Sequence, residues 1–228
     1  MMLREMLKFL PKPHIYHEDL PVKKKVTGFL ILFLVCVFIV YSLNILLQLL
    51  VPAPENGVEE MSFPKLLLYA LLLAPLFEES VFRLSLVYSK INLSVSLSLA
   101  LTAIITNLMD IRLLTIWGVI IFAVLFIGFI AFFSKTESIS QRLNNFWNGH
   151  FTLIFYGFAL IFGLFHSINY EFHSFSAYVL AVVFSIPQFI GALFMGFVRI
   201  RLGFVWAVLM HILLNGIPFG LSFVFSVI

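Results

Sequence analysis

Long apolar segments separated by short polar ones run along most of the chain. A helix needs about 20 apolar residues to cross a bilayer, whereas a membrane-spanning strand shows about ten residues of alternating polarity. The apolar runs here have helical length and do not alternate. We therefore predict an all-α fold, a polytopic transmembrane helical bundle of about seven spans, at residues 26–51, 64–88, 93–109, 113–133, 150–167, 176–198 and from 202 to the C-terminus.

The polar segments between these runs are short. Residues 1–25 are mixed and basic, and we predict an N-terminal tail at the membrane surface with room for a short interfacial helix. Residues 134–149 form the longest interior polar stretch and are predicted to be a surface loop or an amphipathic piece. Because no internal repeat is evident, residues 26–228 are predicted to form a single transmembrane domain.

The composition excludes an ordinary soluble domain. Of the 228 residues, 62% are hydrophobic and only 11% are charged, with a mean hydropathy of +1.09, far from the averages of globular proteins. The net charge of +3 is too small to indicate a nucleic-acid binder. We expect an integral membrane protein whose partners include membrane lipids and no nucleic acid. The single cysteine, Cys36, excludes an intramolecular disulfide.

The basic residues are distributed unevenly between the two sides of the predicted bundle. If the N-terminus is cytoplasmic, only Lys65 and Arg112 fall in outer loops, and Arg83 falls within a span. The other 11 of the 14 basic residues then lie inside, as the positive-inside rule requires. We therefore predict a plasma-membrane protein with a cytoplasmic N-terminus.

Three charged residues interrupt the second apolar run: Glu78, Glu79 and Arg83. Each charge near the middle of a bilayer costs roughly 2.5–3.5 kcal/mol on insertion scales, so such clusters usually mark functional sites. Glu79 and Arg83 are four residues apart and face each other, whereas Glu78 lies about 100° around the helix. We predict that Arg83 holds Glu79 and that Glu78 is free for chemistry. The alternative is a helix-packing ion pair with a spare acid facing a water-filled cavity.

Two further polar pairs occur in later spans. Phe162 and His166 are four residues apart in the fifth span, and His211 and Asn215 are four apart in the seventh. Depth argues against a simple meeting of these groups. At a rise of 1.5 Å per residue, Glu78 lies about 20 Å from the outer end of its span. His166, in contrast, lies close to the outer end of its own span. Tilt, a kink at Pro75 or a re-entrant turn after His166 must close that gap.

Together these residues resemble a known family. The order EExxxR (Glu78, Glu79, Arg83), FxxxH (Phe162, His166) and HxxxN (His211, Asn215), on three separate predicted spans, is similar to that of the CPBP family. This family comprises CAAX-processing and bacteriocin-processing enzymes, also called Abi proteins, and includes the Ras-converting CAAX endopeptidase. The resemblance covers a motif-bearing core at residues 64–216. Many members have a shorter spacing between the first two motifs, and the longer one here fits an additional pair of spans.

The resemblance implies an intramembrane endopeptidase that cleaves a membrane-anchored or lipidated, CAAX-like peptide. Glu78, assisted by His166, would activate a water, and His211 with Asn215 would bind the oxyanion. Glu79, also counted among the catalytic residues, would be held by Arg83 and shape the pocket with Phe162.

The role of a metal is left open by the sequence. Zinc is the alternative cofactor, with Glu79, His166 and His211 as its ligands, because two imidazoles and a carboxylate suit this ion. Metal-independent chemistry is favoured, since no HExxH motif is present and Asn215 stands where a second histidine ligand would be expected.

Two other functions also fit the sequence. The chain could be a non-catalytic membrane scaffold or immunity factor on the same fold. It could also be a proton-coupled small transporter that uses the same charged residues as a relay. The lack of internal repeats weakens the transporter hypothesis.

Overall fold

The computed structural model describes residues 1–16, 18–52, 62–135, 137–171 and 173–227, without the side chains of 219 and 221–227. The all-α prediction is confirmed, because the chain is 84% helical and shows no strand among the described residues. The helices are α1 (Met2–Phe9), α2 (Val22–Leu50), α3 (Phe63–Leu68), α4 (Ala74–Phe82), α5 (Lys90–Leu108), α6 (Ile116–Lys135), α7 (Glu137–Gly149), α8 (Phe151–Phe165), α9 (Phe175–Phe184), α10 (Ile186–Arg201) and α11 (Phe204–Val227).

Five helical segments of the described chain are long and apolar enough to cross a membrane. They are Val22–Leu50, Lys90–Leu108, Ile116–Lys135, Phe151–Asn169 and Phe175–Arg201. These segments are those of a membrane protein, as the composition predicts. The last apolar helix is counted only as a shorter one, Phe204–Pro218. The number of seven spans therefore stays a prediction.

The second apolar run is a helix with a change of pitch in its middle. A five-residue π-helical turn, Tyr69–Leu73, separates α3 from α4. Pro75 lies directly after this turn and lacks a backbone N–H, so the regular hydrogen-bond ladder is interrupted there. The sequence predicts a kink at Pro75, and the irregularity lies in the turn that precedes it.

The two helices of the long inter-motif segment, α5 and α6, pack against each other, and α5 also packs on α4. One face of α5 carries buried Ser and Thr side chains, and small residues of this kind allow membrane helices to approach closely. Ser96 Oγ donates a hydrogen bond of 2.7 Å to the carbonyl of Ser80. Helix α5 thus supports the helix that carries the two glutamates.

The segment 134–149 is predominantly helical, which fits the amphipathic alternative of the sequence prediction. Helix α7 is tied to the start of α5 by an ion pair of 2.6 Å between Lys90 Nζ and Glu137 Oε2. Tyr88 Oη also donates to the carbonyl of Ser140 at 2.9 Å. This helix therefore covers the chain reversal that follows α4.

The N-terminal segment begins with a short helix, α1, that packs on the bundle through one face. Its location at the membrane surface stays a prediction. Met2, Met6 and Phe9 of α1 are buried, and the Phe9 ring contacts Phe155 and Phe197. Hydrophobic residues at positions 2, 6 and 9 share one helical face, which the sequence analysis did not use.

Arg201, at the end of α10, fastens the same N-terminal segment. Its Nε lies 3.0 Å from Glu5 Oε2, and its guanidinium lies 4.5 Å from the centre of the Tyr16 ring. The segment is therefore held by a charged contact as well as by apolar packing.

Candidate functional site

The predicted site residues come from three helices and meet in one place. Glu78 and Glu79 lie in α4, His166 directly follows α8, and His211 lies in the third turn of α11. Glu78 Oε2 lies 3.7 Å from His166 Nε2 and 3.8 Å from His211 Nε2. The acid and both imidazoles of the sequence prediction are therefore in contact range.

The depth mismatch expected from the sequence does not occur. That expectation assumed that the outer ends of the predicted spans lie at the same level. His166, at the end of α8, lies level with His211, which is only in the third turn of α11, and α11 continues to Val227. The chain then enters a 3₁₀ turn, His166–Asn169, instead of extending the helix. Helix α8 thus ends well inside the length of α11.

Glu79 and Arg83 form the buried ion pair that their spacing predicts. Arg83 Nη1 lies 3.2 Å from Glu79 Oε1, and the two side chains are 2% and 0% exposed. The guanidinium carbon lies 3.7 Å from the centre of the Phe162 ring, a close cation–π contact. The Phe162 ring therefore packs against the guanidinium of the charged pair.

Hydrogen bonds fix the orientation of both histidine rings. His166 Nδ1 donates to the carbonyl of Phe162 at 2.8 Å, and His211 Nδ1 donates to Glu79 Oε1 at 2.9 Å. Each Nδ1 carries the proton because a carbonyl or an ionised carboxylate can only accept. In the neutral form of each ring, the lone pair of Nε2 is left unprotonated and faces Glu78.

Three hydrogen-bond acceptors therefore converge at the centre of the site. They are Glu78 Oε2 and the Nε2 atoms of His166 and His211. Glu78 Oε2 is buried and has no hydrogen-bond partner among the described residues. Acceptors gathered at less than 4 Å repel one another unless a proton, a water or a cation lies between them. The geometry thus creates a place where a water would be bound by donating its hydrogens.

Asn215 has a structural hydrogen-bond partner that the sequence did not predict. Its Nδ2 donates to the carbonyl of Ala70 at 2.9 Å. In an α-helix this carbonyl would accept from Ala74, but the N–H of Ala74 binds Tyr69 in the π-helical turn. The next candidate donor, Pro75, has no N–H. Asn215 therefore satisfies a carbonyl that its own helix leaves free, and its second N–H remains for a ligand.

A cavity of about 520 Å³ lies beside the imidazoles. Phe162, His166, His211 and Asn215 line it. Side chains of α2 also line it, including Tyr41, which the sequence analysis did not select.

Glu78 borders a second cavity, of about 580 Å³, with Phe77, Arg112 and Phe165 in its wall. The contacts between Glu78 and the two imidazoles therefore lie between the two cavities. A group bound in either cavity can approach the three acceptors from its own side.

The zinc alternative does not hold with Glu79 as a ligand. Glu79 faces Nδ1 of His211, whereas both Nε2 atoms face Glu78. An ion between the Nε2 atoms would have Glu78 as its carboxylate and Glu79 as the outer partner of His211. Among the described residues no group of three or more His, Cys, Asp or Glu side chains is spaced as a metal site. Metal independence stays a prediction.

Arg199 is a further residue whose part in the site the sequence did not reveal. Its Nε and Nη2 donate to the carbonyls of Arg83 and Leu84, at 3.0 and 3.1 Å. These carbonyls lie at the C-terminal end of α4, where the helix leaves acceptors free and favours a cation. In the sequence, Arg199 is only one of the 11 basic residues predicted to lie inside, whereas the structure shows it bound to carbonyls at the end of the glutamate-bearing helix.

Comparison with protein-family models, with curated proteins and with solved structures gave no match. The function must therefore be argued from the geometry of the site and from the sequence motifs.

Proposed function

We propose that this protein is an intramembrane endopeptidase of the CPBP type. The observation that carries the proposal is the convergence of Glu78 Oε2 and two imidazole Nε2 atoms within 3.7–3.8 Å. Two of these acceptors, Glu78 and His166, would bind one water through its two hydrogens and leave its oxygen lone pairs free for attack. Residues of all three motifs contribute to this arrangement, which supports the resemblance.

The reaction would be hydrolysis of a peptide bond lying in the cavity beside the imidazoles. Glu78, with His166, takes a proton from the water as its oxygen adds to the scissile carbonyl. The proton then passes to the leaving amine, which completes the hydrolysis. Glu79 and Arg83 hold the site together and do not exchange protons with the substrate.

The oxyanion that develops on the carbonyl needs hydrogen-bond donors. The second N–H of Asn215 is one donor, since the first binds Ala70. His211 becomes a donor at Nε2 only when it is protonated, because its Nδ1 proton is held by Glu79. His211 would therefore stabilise the oxyanion only as the imidazolium, which carries a proton in addition to the one that Glu78 takes from the water.

The substrate class follows from the location of the site and from the resemblance. The site is built from segments that cross or lie within the membrane, so a substrate must reach it from the lipid. A peptide that is membrane-anchored or carries a lipid, as CAAX-like peptides do, meets this requirement. We further propose seven spans, a plasma-membrane location and a cytoplasmic N-terminus, supported by the distribution of basic residues.

The decisive experiment is a cleavage assay of the purified protein in lipid nanodiscs. A library of lipidated and membrane-tethered peptides is incubated with and without a chelator, and products are identified by mass spectrometry. Glu78→Gln should reduce cleavage at least about 10²-fold, the usual contribution of a general base. The matched control is Glu137→Gln, which alters an exposed ion pair on α7 and should leave cleavage unchanged.

Each outcome of this assay supports or contradicts one part of the proposal. Cleavage that Glu78→Gln abolishes supports the protease, and cleavage that survives a chelator supports the metal-independent form. Failure to cleave any library peptide, or full activity of Glu78→Gln, contradicts the protease proposal. A cellular phenotype that Glu78→Gln retains would instead indicate the scaffold or immunity function.

One observation favours the transporter as a second candidate. Glu78 borders one cavity and the imidazoles border another, so a proton could pass between cavities through the contact of these groups. Proton flux into liposomes that Glu78→Gln abolishes, without any peptide cleavage, would support this function.

A further inference from the structure

Helix α2 presents an unexpected line of polar side chains to the cavity beside the imidazoles. Tyr41, Asn44 and Gln48 lie on one face of a helix that is otherwise strongly apolar, and all three line the cavity. Polar side chains at membrane depth are costly, and in most cases they face the interior of a bundle for a function. None of the family-like motifs includes these residues.

The position of this line is fixed relative to the proposed catalytic residues. Tyr41 Oη donates to the carbonyl of Leu214 at 2.8 Å, which joins α2 to α11 beside Asn215. His166, His211 and Asn215 border the same cavity. The cavity is thus lined by the proposed catalytic residues and by two carboxamides of α2.

The two carboxamides have hydrogen-bonding capacity to spare. Asn44 Nδ2 donates to the carbonyl of Val40 in its own helix at 3.1 Å, which leaves its second N–H and its oxygen. Gln48 is exposed at the edge of the cavity and makes no side-chain hydrogen bond among the described residues. Each side chain therefore offers both a donor and an acceptor to a ligand.

The chemistry and spacing of these groups match an extended peptide main chain. A segment drawn into a water-poor cavity and unwound for cleavage exposes N–H and C=O groups that need partners. Side chains four apart on a helix are separated by about 6 Å along its axis. In an extended chain, groups on the same edge recur every two residues, about 6.6 Å apart. Asn44 and Gln48 can therefore contact two successive groups of one edge.

We propose that Asn44 and Gln48 form a subsite that binds the main chain of an extended peptide substrate in the cavity that the catalytic residues also line. This inference rests on the proposed protease function and adds the substrate form that it accepts. Recognition through the main chain is tolerant of side-chain identity. Selectivity would then lie in the lipid anchor and in the ability of the segment to unwind.

The test measures binding separately from turnover. The Glu78→Gln protein in nanodiscs is titrated with a fluorescent, palmitoylated Leu–Ala peptide. The same titration is done with two double variants that add Asn44→Leu or Gln48→Met to Glu78→Gln, because these replacements keep side-chain size. Ser42→Ala is the matched control, since Ser42 lies in the same helix but is exposed and outside the cavity. We expect each amide replacement to weaken binding about tenfold, as the loss of one to two hydrogen bonds would, and the control to have no effect.

Backbone esters in the peptide then identify the groups that are bound. An ester in place of one amide removes a single N–H, and we expect weaker binding at two positions separated by two residues. In the Asn44→Leu protein one of these two ester effects should disappear, because the carboxamide that would bind this peptide N–H is already absent. Equal binding by all variants, or an ester effect that persists unchanged in them, would overturn the subsite. A lipid acting as the ligand would give ester-independent binding and also overturn it.

The result is distinguishable from failure of the proposed function. If the wild-type protein cleaves peptides, Asn44→Leu should raise KM with kcat nearly unchanged, the pattern of a binding residue. Normal KM in both variants rejects the subsite while the protease stands. Amide-dependent binding of the peptide without any cleavage rejects the protease while the subsite stands.

Discussion

Phe162 links the two halves of the site through different atoms of one residue. Its ring lies under the Arg83 guanidinium, and its carbonyl accepts the Nδ1 proton of His166. The ring centre also lies 5.9 Å from that of His211. The aromatic residue of the FxxxH motif therefore orients one histidine and supports the ion pair that orients the other.

The Glu79–Arg83 pair gives a prediction about single-residue stability. Arg83→Met should destabilise the protein by about 3–5 kcal/mol, because it leaves the Glu79 carboxylate buried without a cation. Glu79→Gln should also destabilise it by leaving the cation alone. The measurement is the free energy of unfolding in a denaturing detergent titration.

The double variant Arg83→Met/Glu79→Gln serves as the control for this pair. It should be clearly less destabilised than the sum of the single variants, because neither charge is then left unpaired. Strictly additive losses would show that the two side chains do not stabilise each other.

Asn215 gives a second prediction at this scale. Asn215→Leu should cost about 1–3 kcal/mol of stability, since the Ala70 carbonyl loses its donor. The control is Asn148→Leu in α7, where the amide bonds only to Asn144 at an exposed position. Thermal unfolding in detergent compares the two, and equal effects would contradict a structural role for the Asn215 bond.

Helical spacing explains which residue assignments the sequence supported. Glu79 and Arg83 pair as predicted because the backbone stays helical from Glu79 to Arg83, the residue that caps the end of α4. Side chains four residues apart then lie on the same face of the helix. The bond from Asn215 to Ala70 was not foreseeable, because it depends on a π-helical turn that no sequence pattern specified. Asn44 and Gln48 did carry a signal, two carboxamides four apart in an apolar span, which the analysis left unused.

At the scale of elements, the irregular second helix is coupled to α11. The π-helical turn and Pro75 together leave the Ala70 carbonyl without a donor from its own helix, and Asn215 of α11 supplies one. The proline and the asparagine are far apart in sequence but serve the same carbonyl.

This coupling predicts a specific dependence between two substitutions. Pro75→Ala restores a backbone N–H that can donate to the Ala70 carbonyl in π-helical geometry. Asn215→Leu should therefore cost less in the Pro75→Ala background than in the native protein, by about 0.5–1.5 kcal/mol, the net value of one hydrogen bond. Unfolding free energies of the four proteins give the coupling, and simple additivity would contradict this account of the turn.

At the scale of the whole molecule, the N-terminal segment closes one end of the bundle. Phe9 is 0% exposed and meets aromatic rings of α8 and α10. Tyr156 Oη donates to the carbonyl of Leu10 at 2.5 Å in the same region. The sequence analysis predicted a surface tail here from the lysines and arginines. It did not consider the apolar face formed by Met2, Met6 and Phe9.

Packing of this kind predicts a large effect of truncating Phe9. Phe9→Ala should destabilise the protein by about 3–5 kcal/mol, as buried aromatic truncations do. Leu7→Ala, in the same helix but with the side chain 61% exposed, should change stability by no more than about 0.5 kcal/mol. Detergent unfolding of both variants tests this, and a small effect of Phe9→Ala would contradict a stabilising role for the packing of α1.

The orientation of the whole bundle is testable through a single helix. Helix α6 separates Arg112 from Lys135 and is apolar enough to cross the membrane. With a cytoplasmic N-terminus, Arg112 lies outside and Lys135 inside. Because Cys36 is the only cysteine and is buried, cysteines introduced at these positions can be labelled against a low background. A membrane-impermeant maleimide should label Arg112→Cys in intact cells and Lys135→Cys only after permeabilisation.

The same labelling distinguishes seven crossings from six. A cysteine at Lys8 and one appended after Ile228 should lie on opposite sides of the membrane if the number of spans is odd. We expect Lys8→Cys to react only in permeabilised cells and the appended cysteine to react in intact ones. Labelling of both ends under the same condition would show that one apolar helix re-enters on its own side. Helix α11 is then the first candidate, because only Phe204–Pro218 counts as its apolar part and Pro218 interrupts its backbone hydrogen bonds.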